Sequence, residues 1–268
     1  MGDIKLLVYP GRVVRGSKLK FLCELLNIKI TFDIEDDFDL GIYWNLNPNQ
    51  LPDQRLIAVS NSKKVINIKC VCVLKGFVDK TWESVSGYSI TVDPANPPDK
   101  YVRKSQLQYI SHTGEAHDGR VFDKPQSPDN GYVYQKLIDN RIRIENHDLY
   151  QTLRIPVFNQ SIPCLYAKIH THRFKSRAKY NKWSYNFVTY DIKEYLSSEE
   201  IKTILEFCRI AGVEYAELDI LRDNKSGLIY VIDINNLAGG GIFRKFPPPE
   251  SEEVQRVLAE TFKKEFVV

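Results

Sequence analysis

The chain has 268 residues, 43% of them hydrophobic, and its 37 Lys and Arg against 34 Asp and Glu leave a formal net charge of +3. That length and apolar content suit one or two globular domains with a real core. The absence of an apolar run of about eighteen residues excludes a membrane-spanning helix, and the near balance of charge argues against nucleic acid as the main partner.

Taken in chain order, the first third alternates strand-like and helix-like pieces. The N-terminus reads as a first strand over 4–9 rather than a secretion signal. Ser17 is placed to cap a short helix through Leu26 with Leu19, Leu22, Leu25 and Leu26 on one face. Further strands are predicted over 28–32, 39–44 and 55–60, giving the β-α-β rhythm of a small, mostly parallel α/β unit. Its first strand lacks a Gly-x-Gly-x-x-Gly sequel, so the dinucleotide fingerprint is missing. Cys70 and Cys72 alternate in an apolar run and share one side of a predicted strand. With Cys23, Cys164 and Cys208 they make five cysteines, an odd number without a CxxC pair, which indicates a reduced, cytoplasmic protein with core thiols rather than zinc ligands.

The turn-rich run Asp93 to Asp99 marks the expected boundary between an N-terminal α/β domain (1–95) and a second domain (96–268). Strands follow over 101–104 and 120–123, then a buried strand from Tyr132 that runs into a polar segment near Asp139. Residues 153–158 and 162–169 form an expected hairpin around Asn159-Gln160-Ser161. Ser197 and two early acids open a helix that Gly212 closes. Strands over 215–221 and 228–234 flank the turn Asp223 to Gly227, and a terminal helix covers 250–264.

The chemistry concentrates in that last hairpin. Glu217 and Asp219 share a face of one strand, and Asp233 and Asn235 share a face of the next. Carboxylates set among apolar strand residues repel one another and are poorly solvated. The local strands provide no basic partner, so a hard cation such as magnesium, which takes oxygen ligands and keeps phosphates in its shell, is the expected companion. The run Leu237-Ala238-Gly239-Gly240-Gly241 follows directly, and its backbone amides suit an anion. His170 and His172 share a strand face but lack a third ligand, so they read as surface histidines.

The segment Tyr215 to Leu221, followed by Gly227 to Asn236, resembles the C-terminal signature of the ATP-grasp superfamily, in which a strand acid and then an acid-x-Asn hold magnesium on ATP. Asp219, Asp233 and Asn235 match those positions, with aspartate at 233 where glutamate is more common. The resemblance extends over residues 78–245. It implies phosphate-binding lysines at Lys80 and Lys104, a phosphate-covering loop over 111–119, and an adenine-bordering hinge at Gln135, Lys136 and Leu137. It also implies that Arg154 and Lys168 stabilise the transferring phosphoryl group, with Gly239 and Gly240 near the phosphates.

The fold so implied is α/β plus α+β: an ATP-grasp fold whose two lobes clasp ATP, preceded by a small α/β domain. The implied activity is an ATP- and magnesium-dependent ligase that joins a carboxylate to an amine or similar nucleophile through an acylphosphate. Small-molecule or glycan-type carboxylates and amines are the expected substrates, without membrane or nucleic acid and with a homodimer allowed. A kinase of the same fold acting on a sugar or polyol hydroxyl, or a nucleotide-binding module without turnover, are the alternatives. A phosphate-release assay separates ligase from kinase. The loop Tyr43-Trp44-Asn45 with Asn47-Pro48-Asn49 is expected to contact substrate.

Overall fold

The computed structural model describes residues 4–13, 16–45, 47, 49–106, 119–171, 184–239 and 246–267. The N-terminal unit is a four-stranded parallel sheet in the order β2-β1-β3-β4, with β1 Lys5–Pro10, β2 Lys29–Thr31, β3 Leu40–Trp44 and β4 Val65–Ile66. Parallel neighbours need a crossover, and helices provide it. α1 (Lys18–Leu25) starts at Ser17, whose Oγ accepts from the Lys20 amide. Alternate side chains of β1 serve two cores: Leu6 and Val8 pack toward α1 and the C-terminal helix, and Leu7 packs with Leu56 on the other side.

Two expectations for this unit are corrected. Residues 55–60 are not a strand but part of α2 (Gln54–Ser60), because Asp53 Oδ1 accepts from the Leu56 amide and caps a helix, and the β3-to-β4 link needs a crossover. Among the described residues the run containing Cys70 and Cys72 has no strand partner; it carries the chain across to the second core, where Cys70 is buried.

That crossing leads into α3 (Lys75–Ser86), a helix that the sequence reading did not identify. A small antiparallel sheet follows in the order β6-β5-β7, built from β5 (Tyr101–Ser105), β6 (Arg120–Phe122) and β7 (Tyr132–Lys136). The rest is one large antiparallel sheet. Its strands are β8 (Arg141–Ile144), β9 (His147–Phe158), β10 (Leu165–His170), β11 (Ser184–Thr189), β12 (Tyr215–Arg222) and β13 (Ile229–Asn235), in the order β11-β10-β9-β12-β13 with β8 also on β9.

Helix α4 (Ser198–Ala211) has a full capping box between Ser197 and Glu200 and ends at Gly212. With α3 it covers one face of the large sheet, where Val78, Trp82, Ile204 and Phe207 meet Leu153, Ile155, Val157, Leu218 and Ile220. α5 (Glu250–Phe262) closes the core shared with the N-terminal unit. The expected boundary at 95/96 lies between α3 and β5, while α3 itself packs against β13 and α4. Buried Asn67 ties the end of β4 to the large sheet, accepting from the Glu214 and Tyr215 amides and donating to the Tyr215 carbonyl. No helix among the described residues is long and apolar enough to cross a membrane.

Candidate active site

The sequence Tyr215-Ala216-Glu217-Leu218-Asp219-Ile220 alternates in character, and the strand period sends its two halves to opposite faces. Ala216, Leu218 and Ile220 enter the core beneath α3 and α4. Glu217 and Asp219 point the other way, as do Arg154, which pairs with Asp219 across β9 and β12, and Asp233 and Asn235, which pair with Asp219 and Glu217 across β12 and β13. Tyr166 and Lys168 extend this face along β10. This face therefore carries a polar patch whose charges sit side by side, next to Phe158, Tyr166 and Tyr215, which are buried in the core shared with the N-terminal unit.

Their contacts form an alternating chain. Arg154 donates from Nε and Nη2 to Asp219 at 2.5 and 2.7 Å, and from Nη1 to Glu217 at 3.2 Å. The other oxygen of Glu217 meets Lys18, the first residue of α1, and both side chains are 1% exposed. Lys168 lies 3.7 Å from Asp219, and Lys75 of α3 lies 3.9 Å from Asp233. The expectation that these acids lack basic partners is thus corrected: the partners come from β9, β10, α1 and α3, which strand-local reading cannot see.

Burial pushes the Asp219 carboxyl up, but the charges of Arg154 and Lys168 and hydrogen bonds from Arg154 and Asn235 outweigh it and hold it well below the usual carboxylate range. Asp233 goes the other way. Burial raises it, Lys75 opposes the rise, and the neighbouring Asp219 adds to it.

A β-bulge separates the two registers of β12 and β13: Asp219 faces Asp233 and Ile220 faces Val231, so Ile232 is the extra residue. Ile232 and Leu221 help line a recess between the large and small sheets. Its other walls include Lys104, Gln135, Lys136 and Leu137, so four residues expected at the nucleotide come together around one hollow beside the carboxylates. Val102 and Gln135 stand opposite each other on β5 and β7, and Lys104 shares their face. Burial lowers Lys104 to about 8, helped by the nearby Lys75 and opposed by Asp79, Asp233 and Asp219. The strand-to-strand passage after Leu137 is stitched to the β12–β13 turn, where the Asp139 amide donates to Asp223 Oδ1 and the Asn224 amide to the Asp139 carbonyl.

The remaining expectations divide. Lys80 follows Asp79 on α3 but is exposed and outside this cluster, whereas Lys75, which sequence reading missed, is in it. Lys75, Asp79 and the apolar Val78, Trp82 and Val85 follow helical spacing, a signal that was present in the sequence. Gly239 bridges Ser17, and the Lys18 amide donates to the Ala238 carbonyl, so the glycine run begins against the start of α1. Gly240 and Gly241, residues 111–118 of the expected covering loop, and His172 lie outside the described residues, as do residues 46 and 48 in the expected substrate loop. Among the described residues no cluster of three His, Cys, Asp or Glu has metal-holding geometry.

The donor set suits a hard cation nonetheless: two carboxylates and one amide. Asn235 Nδ2 donates to the Glu217 carbonyl at 3.2 Å, which leaves Oδ1 as the end for an ion. The side chains of Asp219 and Asp233 keep 16% and 21% of their surface exposed, which leaves an approach for a small ion.

No protein-family model matches the chain, and no curated protein matches its sequence. Solved structures share its fold. An ATP-grasp ligase, PsnB, complexed with a phosphomimetic variant of its minimal precursor, Mg and ADP, superposes with a TM-score of 0.57 at 11% identity over 97% of this chain and 99% of that one. D-alanine–D-alanine ligase from Bacillus anthracis complexed with ATP gives 0.54 at 13% over 99% and 97%. The macrocyclase MdnC from Microcystis aeruginosa MRC, bound with its precursor peptide MdnA, gives 0.53 at 13% over 97% and 99%.

Proposed function

Since the chain has the ATP-grasp fold, we propose that it is an ATP- and magnesium-dependent ligase that activates a carboxylate as an acylphosphate and passes the acyl group to an amine or similar nucleophile. The observation that carries this reading is the placement of Asp219, Asp233 and Asn235 on one sheet face, beside a recess lined by Lys104, Gln135, Lys136 and Leu137.

Asp219, Asp233 and Asn235 would hold magnesium, which when bound offsets phosphate charge. Lys104 and Lys75 reach the boundary between recess and carboxylates and are suited to the triphosphate. Arg154 and Lys168 occupy the same face and would neutralise charge on the phosphoryl group as it moves. Arg154 has donors beyond those committed to Asp219 and Glu217. In the reaction the substrate carboxylate oxygen takes the γ-phosphoryl group and ADP leaves; the nucleophile then attacks the acyl carbon and phosphate leaves. Such chemistry rests on positioning and charge, and a dedicated general base is not required. Lys80, Gly239 and Gly240 enter this proposal as phosphate-binding residues.

ATP turnover with and without magnesium, over pooled carboxylates and amines, tests the reading in wild type and Asp233→Ala. Magnesium-dependent release of ADP and free phosphate, lost in the variant, is expected. Phosphate retained on a hydroxyl substrate, or no turnover with any pool, refutes it.

A further inference from the structure

Deep in the recess wall, the amide of Gln135 is 1% exposed and meets the carboxylate of Asp79 on α3, which is also 1% exposed. Nε2 donates to Oδ1 at 2.7 Å and to Oδ2 at 2.9 Å. An ionised carboxylate can only accept, so this contact decides which end of the amide is which. The NH2 group faces α3, and Oε1 is left as a buried acceptor with no hydrogen-bond partner among the described residues. Buried polar atoms are rarely left so, and a ligand group is one explanation for such an atom in a recess wall. Ile90, Val102, Ile138, Leu221 and Ile232 give the recess apolar surface that suits a flat ring, alongside the polar Lys104, Lys136, Asn140 and Thr152.

We propose that Asp79 is a positioning residue for base specificity: by gripping the Gln135 amide it presents Oε1 to the exocyclic amine of an aminopurine, so adenine is accepted and a 6-oxopurine refused. This rests on the nucleotide reading above and deepens it. A guanine would set its own acceptor against Oε1 and leave both buried without a donor, the kind of mismatch that polar sites reject most strongly.

Among the described residues, charges that act on Asp79 come from Lys75 on its own helix, Lys104 on β5 and Asp233 on β13. Burial raises its carboxyl to about 6, opposed by the Gln135 hydrogen bond and the two lysines, so it is ionised at pH 7.5 and takes up a proton toward pH 5. A protonated Asp79 can donate, and the amide then has no fixed sense.

The test measures binding of ATP and GTP, with magnesium, to the full chain by calorimetry. At pH 7.5 the wild type is expected to favour ATP by about tenfold or more. Asp79→Asn, whose amide offers either end, should bring the ratio toward one while keeping most ATP affinity. The wild-type ratio should also shrink between pH 7.5 and 5, a measurement that needs no variant. Lys75 and Lys104 act on phosphates common to both nucleotides, so their effects cancel in the ratio. A ratio unchanged in Asp79→Asn, or unchanged with pH if that variant does not fold, overturns the inference and leaves the ligase reading standing. No binding of either nucleotide by the wild type overturns both.

Discussion

Arg154 and Asp219 stand directly opposite each other on β9 and β12, and the guanidinium grips the carboxylate through two hydrogen bonds while its third nitrogen reaches Glu217. This fork keeps Asp219 charged in a place where burial alone would neutralise it. A carboxylate held ionised in advance is ready for a cation without a proton having to leave first.

Replacing Arg154 with leucine would leave two largely buried acids without their shared partner. The expected cost is about 3–5 kcal/mol in urea denaturation at pH 7. Arg154→Lys should recover only part of it, because one ammonium cannot reproduce the fork. The sign with pH follows from the depressed folded value of Asp219: its contribution is present above the unfolded carboxylate range and is lost as pH falls through the folded value. The gap between wild type and Arg154→Leu should therefore narrow in acid.

Lys104 gives an opposite pH signature in binding. Its ammonium is lowered to about 8, so in the free protein it loses its charge as pH rises through that value. Triphosphate affinity should weaken between pH 7 and 9. Lys104→Met should bind about tenfold or more weakly at pH 7 and show a flatter profile in the same titration.

Asp233 has a raised folded value, so its ionised form is a burden on the metal-free protein: stability present at low pH is lost as pH rises through the folded value. Asp233→Asn should melt slightly higher than wild type at pH 7.5 without magnesium. The same variant should lose at least about tenfold in magnesium-dependent nucleotide affinity. Thermal melts with and without the ion separate the two effects.

Lys18 and Glu217 are buried together, with Lys18 also 4.9 Å above the Tyr166 ring. Lys18→Met should cost about 3–5 kcal/mol by leaving buried Glu217 with Arg154 alone, and Glu217→Gln should cost a comparable amount. The double variant should be less damaged than the sum of the two, a coupling that a double-mutant cycle in urea would measure. Strict additivity would mean that the pair does not act as a unit.

Gly212 closes α4 with φ +70°, and a β-carbon there would sit 2.3 Å from the Lys69 carbonyl oxygen. Gly212→Ala should destabilise by more than the ~1 kcal/mol that the left-handed conformation alone explains. Gly227, also at positive φ but with open space around it, should accept alanine at about that smaller cost. Melting both variants side by side makes the comparison.

The legible parts of the sequence were those governed by local rules. Ser197 with Glu200 and Gly212 delimited α4, and the alternation from Tyr215 to Ile220 separated the acids from the core, because capping and strand period act over a few residues. What escaped was set by distant chain. Residues 55–60 carry strand-forming apolar residues, yet Asp53 and the needs of a parallel crossover make them helical. Lys75 and Lys18 join the carboxylate cluster from two separate helices, and nothing near residues 219 or 233 announces them. Asp79 has no local signal beyond the lysine beside it, and its bond to Gln135, 56 positions away, is visible only in three dimensions.

The extra residue at Ile232 also bears on how this strand can be read. Counting back from Asn235 in twos would assign Val231 and Ile229 to the acidic side, but both are buried in the core with Ile234. The strand changes phase once, just before Asp233. A pattern built on uninterrupted alternation would therefore misplace half of β13, and sequence comparisons anchored on the acid-x-Asn pair should allow for that single offset.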